Sequence, residues 1–505
     1  MTSRRRAAST LLLLLVGACT NATSDGSLDA APDRLAATDR ADRTPAPSVV
    51  GGLRGFALAD ASGVALRTAG GEIDFLTGIN VGSAVPGRMP AELAVDAPTW
   101  RRWFGMIGET GVHAIRIYTV QPPYFYDELL AYNTAHHTRP LYLVHGVWIP
   151  EDQAVEARNL SDPEVIDQTE TDIDDAVAVI HGDATLPKRQ GYASGTYTSD
   201  VSPWLLSWVY GVEMDPNLVS QSDKANSGQA YEGQFVTPTE DPSPTEVWLA
   251  RMIDRLAAAE AAYGNTMPLS FSNWPTTDPL EHPSEPLASE DLVSIDANHL
   301  RATDRWPGGM YASYHAYPHY PDFQRYEPGI FDYAYRDRED AYAGYLAKLR
   351  DHHLEADLPV MVMEFGVPSS IGSAHGGSLG RDQGGHTEQE AMAINADLLR
   401  TQFDLGLLGG FVFAWQDEWF KRTWNTMDTE IPADRRQLWQ NPLTNEANFG
   451  LVAMDAGEGG PPIVIDGDGA DWMTANSPVI TSRPIITFGR SERPMTSPTC
   501  TSASS

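Results

Sequence analysis

The chain is short of cysteine, poor in basic residues and without a membrane-length apolar run. Its two cysteines, Cys19 and Cys500, sit at opposite ends of 505 residues. No internal disulfide framework therefore staples the body, and a thiolate metal site is excluded. Lys and Arg number 35 against 68 Asp and Glu, a formal charge of −33. That balance argues against nucleic acid, or an anionic membrane surface, as a partner of the body. The apolar run at residues 11–16 is too short to cross a bilayer. What is present is a hydrophobic fraction of 42% with 13 Trp and 19 Tyr, enough for a sizeable core and unlike a disordered chain.

Arg4, Arg5 and Arg6, the apolar run and the small pair Gly17-Ala18 follow the plan of an export signal. Cys19, directly after Val16-Gly17-Ala18, resembles the lipobox of bacterial lipoproteins. The resemblance implies a signal over residues 1–19 and a lipid on Cys19. The protein would then sit on the extracellular face of the cell membrane, held only by that anchor. With an incidental Cys19 it would be secreted. Residues 20–49, rich in Ala, Asp, Ser, Thr and Pro, read as a disordered tether.

A hairpin is expected next, residues 55–58 and 64–66 around a turn at 60–63. Short apolar strands then alternate with longer segments of helical or irregular character. Strands are expected at 75–80, 113–118, 141–145, 206–211, 268–272, 311–315, 360–363 and 410–414. A ninth candidate, 292–296, makes one of its neighbourhood a surplus piece. Helices are expected over 98–109, 166–180, 246–263, 335–352 and 387–405, and long loops near 146–165, 182–203, 214–245 and 365–388. Repeated strand–helix units of this size predict an α/β fold. The expectation is a (β/α)8 TIM barrel over residues 50–455 with a short N-terminal hairpin and long loops at one mouth.

Polar side chains close the predicted strands in turn: Asn80, Arg116, His145, Glu213, Asn273, His315 with Tyr317, Glu364 and Trp415. The C-terminal ends of barrel strands face one mouth, so these groups are expected to converge. Glu213 and Glu364 both end strongly apolar strands, a costly place for a carboxylate that has no partner or task. Two carboxyl groups across a mouth suit glycosidic cleavage. About 5 Å apart, one protonates the leaving oxygen while the other attacks the anomeric carbon; roughly 6.5–9.5 Å leaves room for water and inversion. Arg116, Asn80 and Tyr317 are placed to keep one carboxylate ionised, and the acid would need a raised pKa.

On these residues the sequence resembles the clan of retaining glycosidases built on the α/β barrel. Tyr210-Gly211-Val212-Glu213 resembles its acid/base region and Met363-Glu364-Phe365-Gly366 its nucleophile motif. Residues 75–80, 114–118, His315-Ala316-Tyr317-Pro318 and Phe413-Ala414-Trp415 resemble its first, second, sixth and eighth strands. The resemblance implies Glu213 as acid/base and Glu364 as nucleophile, with Arg116 and Tyr317 supporting the nucleophile and Trp415 under the sugar. One departure is Val212, where most members carry the Asn that binds the sugar 2-hydroxyl.

His145, Trp148, Asn273, Trp274, Asp278, Trp415, Asp417, Glu418 and Trp419 are the expected substrate-binding residues, the aromatics to stack on sugar faces and the polar groups to bind hydroxyls. The expected partner is an oligo- or polysaccharide; no cofactor and no metal is expected. Two other readings stay open. Residues 116–122 also resemble the β-1,3-glucanosyltransferases, which implies a transglycosylase remodelling a glycan; Val212 leaves room for an inactive carbohydrate-binding lipoprotein. Residues 456–505 read as a partial β-sandwich-like segment or a disordered tail.

Overall fold

The computed structural model describes residues 41–423, 427–432, 435–436, 441 and 443–454. The export signal with Cys19 and the tail at 456–505 lie outside the described residues.

Eight parallel strands close a barrel: Leu76–Asn80, Ala114–Ile117, Tyr142–Val147, Leu205–Tyr210, Leu269–Asn273, Ala312–His315, Val360–Phe365 and Gly409–Val412. All eight expected strands are present. Their residues are buried throughout, which is why each is apolar along most of its length instead of alternating with exposed polar residues. The ninth candidate is not a strand. Residues 292–296 run irregularly into the 3-10 turn Ala297–His299, where the Asp296 side chain accepts from Asn298 N. A capping aspartate there starts a turn instead of extending a ladder.

The lower half of the barrel interior is filled by Leu76, Tyr142, Val144, Leu206, Met361 and Phe411, among others. Gly78 makes room for the Phe411 ring; a Cβ there would stand 2.1 Å from a ring carbon. Ala57, Ala59, Val64 and Leu66 pack onto this layer from a small antiparallel sheet, Ala57–Asp60, Gly63–Thr68 and Gly71–Ile73. This is the expected hairpin with one further strand. It closes the N-terminal end of the barrel, each buried Val or Leu contributing about 1.5–3 kcal/mol.

The tether ends before residue 49. Arg43 N donates to His137 O, Pro45 bridges Thr68, and Ser48–Val50 pairs with Leu53–Gly55. The segment is recruited because sheet edges offer unpaired backbone groups that another strand can satisfy.

Asp96, Asp162, Asp215, Ser243, Asp340 and Thr387 cap helix starts with side-chain oxygens. The helices Ala97–Thr110, Pro163–Ile180, Pro244–Ala262 and Glu388–Asp404 fall where expected. The helix expected from 335 begins at Ala341, because Tyr335 belongs to a tiny hairpin with Arg338–Glu339 and Asp340 is the cap. Pro123–Ala135, Glu151–Ala157 and Pro216–Ala225 are further helices, the last two inside segments expected to be loops. The fifth connection, residues 274–311, contains no α-helix. Among the described residues no helix is long and apolar enough to cross a membrane.

Candidate active site

Side chains alternate along a strand, so near each C-terminal end only every second residue faces the barrel axis. On the first, second, fifth and sixth strands that parity belongs to Asn80, Arg116, Ser272 and His315, which Arg116 links by hydrogen bonds. Glu364 joins them through a register shift. Tyr314 pairs with Val362, but His315 pairs with Glu364, an irregularity of the bulge kind that re-aims a side chain.

Glu364 is buried and fully engaged. Its Oε1 accepts from Tyr118 OH at 2.6 Å and Arg116 Nη1 at 3.2 Å, and its Oε2 from Tyr317 OH at 2.8 Å. Burial alone would raise its pKa; the pull of the Arg116 guanidinium and the two tyrosine hydroxyls outweigh it and hold the carboxyl below its ordinary value. Asn80 braces the arrangement, its Nδ2 donating to Met363 O at 2.8 Å while its Oδ1 accepts from Arg116 at 3.1 Å.

Glu213 approaches from the fourth strand. Gly211, at φ 84°, turns the chain out of the strand, and Asp215 caps the helix that follows. Between them Val212 is buried in the main core, so position 212 offers the mouth no hydrogen-bonding group. The Glu213 side chain is 38% exposed and meets His315 Nδ1 at 2.6 Å. His315 Nε2 faces Arg116 Nη1 at 3.0 Å. A guanidinium only donates, so Nε2 accepts and Nδ1 carries the hydrogen given to Glu213. One oxygen of Glu213 and one of Glu364 lie within 4.8 Å of each other.

Four of the expected substrate-binding residues are not available at the mouth. His145 follows the inward-facing Val144 and points away from the axis, between Tyr126 OH at 3.0 Å and Gly146 O at 2.8 Å, with burial holding its pKa down at about 4. Asn273 has the outward parity too: it donates to Ile295 O and accepts from Trp274 N and Thr277 Oγ1. Asp278 is buried against His282 Nε2 at 3.2 Å and Tyr345 OH at 2.7 Å. Trp415 is 2% exposed and packs edge-on to Trp103 of the first helix. The wall beside Glu364 is formed instead by Tyr118, Tyr317, Phe413 and Phe449.

The other expected residues are at least partly exposed. Trp148 is 44% exposed and meets Tyr118 edge-on at 6.2 Å. Trp274 stacks on Tyr320 at 6.3 Å and donates from Nε1 to Met214 O, immediately after Glu213. Glu418 meets Lys421 Nζ at 3.3 Å, and burial raises its pKa. Asp417 accepts from Gly450 N, and burial pushes its pKa up to about 7. Trp419 Nε1 donates to Arg88 O.

Tyr118, Phe413, Phe449 and Lys421 were not singled out from the sequence. Tyr118 had a signal, two positions beyond Arg116 and so on its parity. Lys421 Nζ lies 5.0 Å from the Phe413 ring centre, a cation–π contact across a fold of chain with no periodicity. Glu213, His315 and Glu364 are chemically capable of binding a metal, but the Arg116 guanidinium already brings a fixed positive charge to His315 Nε2 and Glu364 Oε1, which disfavours a cation there.

No protein-family model matches the chain, and no curated protein matches it significantly. Solved structures similar to it include a β-glucuronidase from Bacteroides uniformis, at 16% identity and a TM-score of 0.39, covering 78% of this chain and 35% of that one. An exo-β-1,4-mannosidase from an Opitutaceae bacterium is 15% identical with a TM-score of 0.45, covering 78% and 59%. An endo-laminarinase from Formosa is 15% identical with a TM-score of 0.44, covering 76% and 84%. The chain thus spans about a third of the glucuronidase and under two thirds of the mannosidase.

Proposed function

We propose that the chain is a retaining β-glycosidase acting on an oligo- or polysaccharide, with Glu213 as acid/base and Glu364 as nucleophile. The observation that carries this reading is the carboxyl pair with oxygens within 4.8 Å, one member accessible and the other buried among three donors. That spacing suits double displacement and leaves no room for the water of an inverting mechanism. Glu364 attacks the anomeric carbon as Glu213 gives its proton to the departing glycosidic oxygen, leaving a glycosyl ester on Glu364. Glu213, now a carboxylate, takes a proton from water, whose oxygen attacks the same carbon and releases Glu364. A sugar hydroxyl in place of that water gives the transglycosylase outcome. Arg116, Tyr118 and Tyr317 keep the nucleophile ionised, and Asn80 and His315 hold the frame. Trp148, Trp274 and Tyr320 supply flat apolar faces for several sugar units.

The test is chemical. A 2-deoxy-2-fluoro aryl glycoside should release one equivalent of phenol and leave a glycosyl adduct on the peptide containing Glu364. An adduct elsewhere, or product of inverted configuration from an ordinary substrate, overturns the assignment. Glycan binding with neither new reducing ends nor new linkages would instead mark the non-enzymatic reading. Anchoring through Cys19 belongs to the same proposal: Cys19→Ser should move the protein from the membrane fraction to the medium.

A further inference from the structure

The fifth connection crosses the outside of the barrel without the helix that the other long connections use to cover it. Where its chain passes the end of the helix Ala341–Leu354, side chains from both segments converge. Asp296 and Asn298 come from the connection; His352 and His353 come from the last turn of the helix. His352 Nε2 is 2.8 Å from Asp296 Oδ2. His353 Nδ1 is 2.7 Å from Asn298 Oδ1 and 4.0 Å from an Asp296 oxygen. One donor atom each from Asp296, His352 and His353 fits within 4.8 Å of the others.

We propose that Asp296, Asn298, His352 and His353 form a binding site for a divalent transition-metal ion, zinc being the ion best suited, which moors the helix-free connection to the helix Ala341–Leu354. Two imidazoles, a carboxylate and an amide oxygen make a four-ligand set of borderline character. Around one tetrahedral zinc at about 2.0–2.1 Å, ligand atoms stand roughly 3.3 Å apart, so the donors of Asp296, His352 and His353, within 4.8 Å of one another, need to close by no more than about 1.5 Å. The two imidazole planes are 82° apart with ring centres 5.0 Å apart. His353 is fully buried and its Nε2 lies 2.7 Å from Tyr314 OH. Without metal, Nδ1 carries the imidazole proton, because Asn298 Oδ1 only accepts. On binding, that proton moves to Nε2, which then donates to the Tyr314 oxygen, and the Nδ1 lone pair is released to the ion. A ligating histidine is usually fixed by such a partner on its other nitrogen. Asn298 is aimed by its own amide, which donates to His352 O at 3.1 Å.

The experiment uses the full chain without a histidine tag, stripped with chelator and titrated with zinc, reading bound metal per chain and the midpoint of thermal unfolding. One zinc per chain is expected, with the midpoint rising by about 3 °C at roughly hundredfold excess over Kd. His352→Gln, at a partly exposed ligand, and Asp296→Asn should each fold, lose the stoichiometric zinc and abolish the rise, while glycosidic turnover persists. Absence of stoichiometric zinc in the unmutated protein, or a rise that survives both substitutions, overturns the site.

Discussion

The Nδ1 of His315 lies 2.6 Å from Oε1 of Glu213, and the opposite nitrogen of that ring accepts from Arg116, which also holds Glu364. One imidazole therefore spans the proposed acid/base and the charge cluster around the proposed nucleophile. His315→Gln should keep the fold and lower kcat by roughly 10²-fold on substrates with poor leaving groups. Activated aryl glycosides should lose much less. Steady-state rates across a leaving-group series check this; an equal loss on every leaving group would contradict a role on the acid side.

Tyr317 OH donates to Glu364 at 2.8 Å and helps hold its pKa down. Tyr317→Phe removes that donor, so the acidic limb of kcat/KM against pH should move upward. The stability effect has a definite sign. A carboxyl with a folded pKa below its unfolded one contributes stability that is complete above the ordinary glutamate range and lost as pH falls through the folded value. The variant should therefore be less stable near neutrality, and the difference should close in acid. Unfolding midpoints from neutral pH down to about pH 3 test it.

Asp278 is a structural anchor in this fold, held by His282, Tyr345 and the Leu280 amide. Removing it in Asp278→Ala leaves buried partners unmatched and should cost about 3–5 kcal/mol. Denaturant unfolding measures the loss. KM and kcat, taken where the variant remains folded, should stay within about twofold; a KM that rises tenfold would return Asp278 to the substrate site.

Trp274, stacked on Tyr320 beside the Glu213 turn, should bind the sugar on the departing side. Trp274→Ala should raise KM for a long oligosaccharide about tenfold, roughly one stacking contact's worth, and leave a short aryl glycoside almost untouched. Equal losses on both would place the ring elsewhere in the reaction.

The barrel was legible because eight buried strands each carry an apolar run, and because aspartates, serine and threonine mark helix starts. Arg116, His315, Tyr317 and Glu364 were legible as polar residues at strand ends. Choosing the final residue of every strand ignored the alternation of side chains, which is why His145 and Asn273 were placed in the mouth when the fold turns them outward. The shift that brings Glu364 opposite His315 has no mark in the sequence. Nor has the crossing that brings Asp296 to His353, since contacts between distant loops leave no period to read.

The small antiparallel sheet under the barrel makes it a cup and not a tunnel. In the proposed double displacement, incoming glycan, departing fragment and hydrolytic water would all use the open mouth at the other end, so the second half-reaction would wait for the first product to vacate it. A saccharide that lingers there would already be positioned to take the place of water, and the balance between cutting and rejoining chains would then be decided by how quickly that mouth clears.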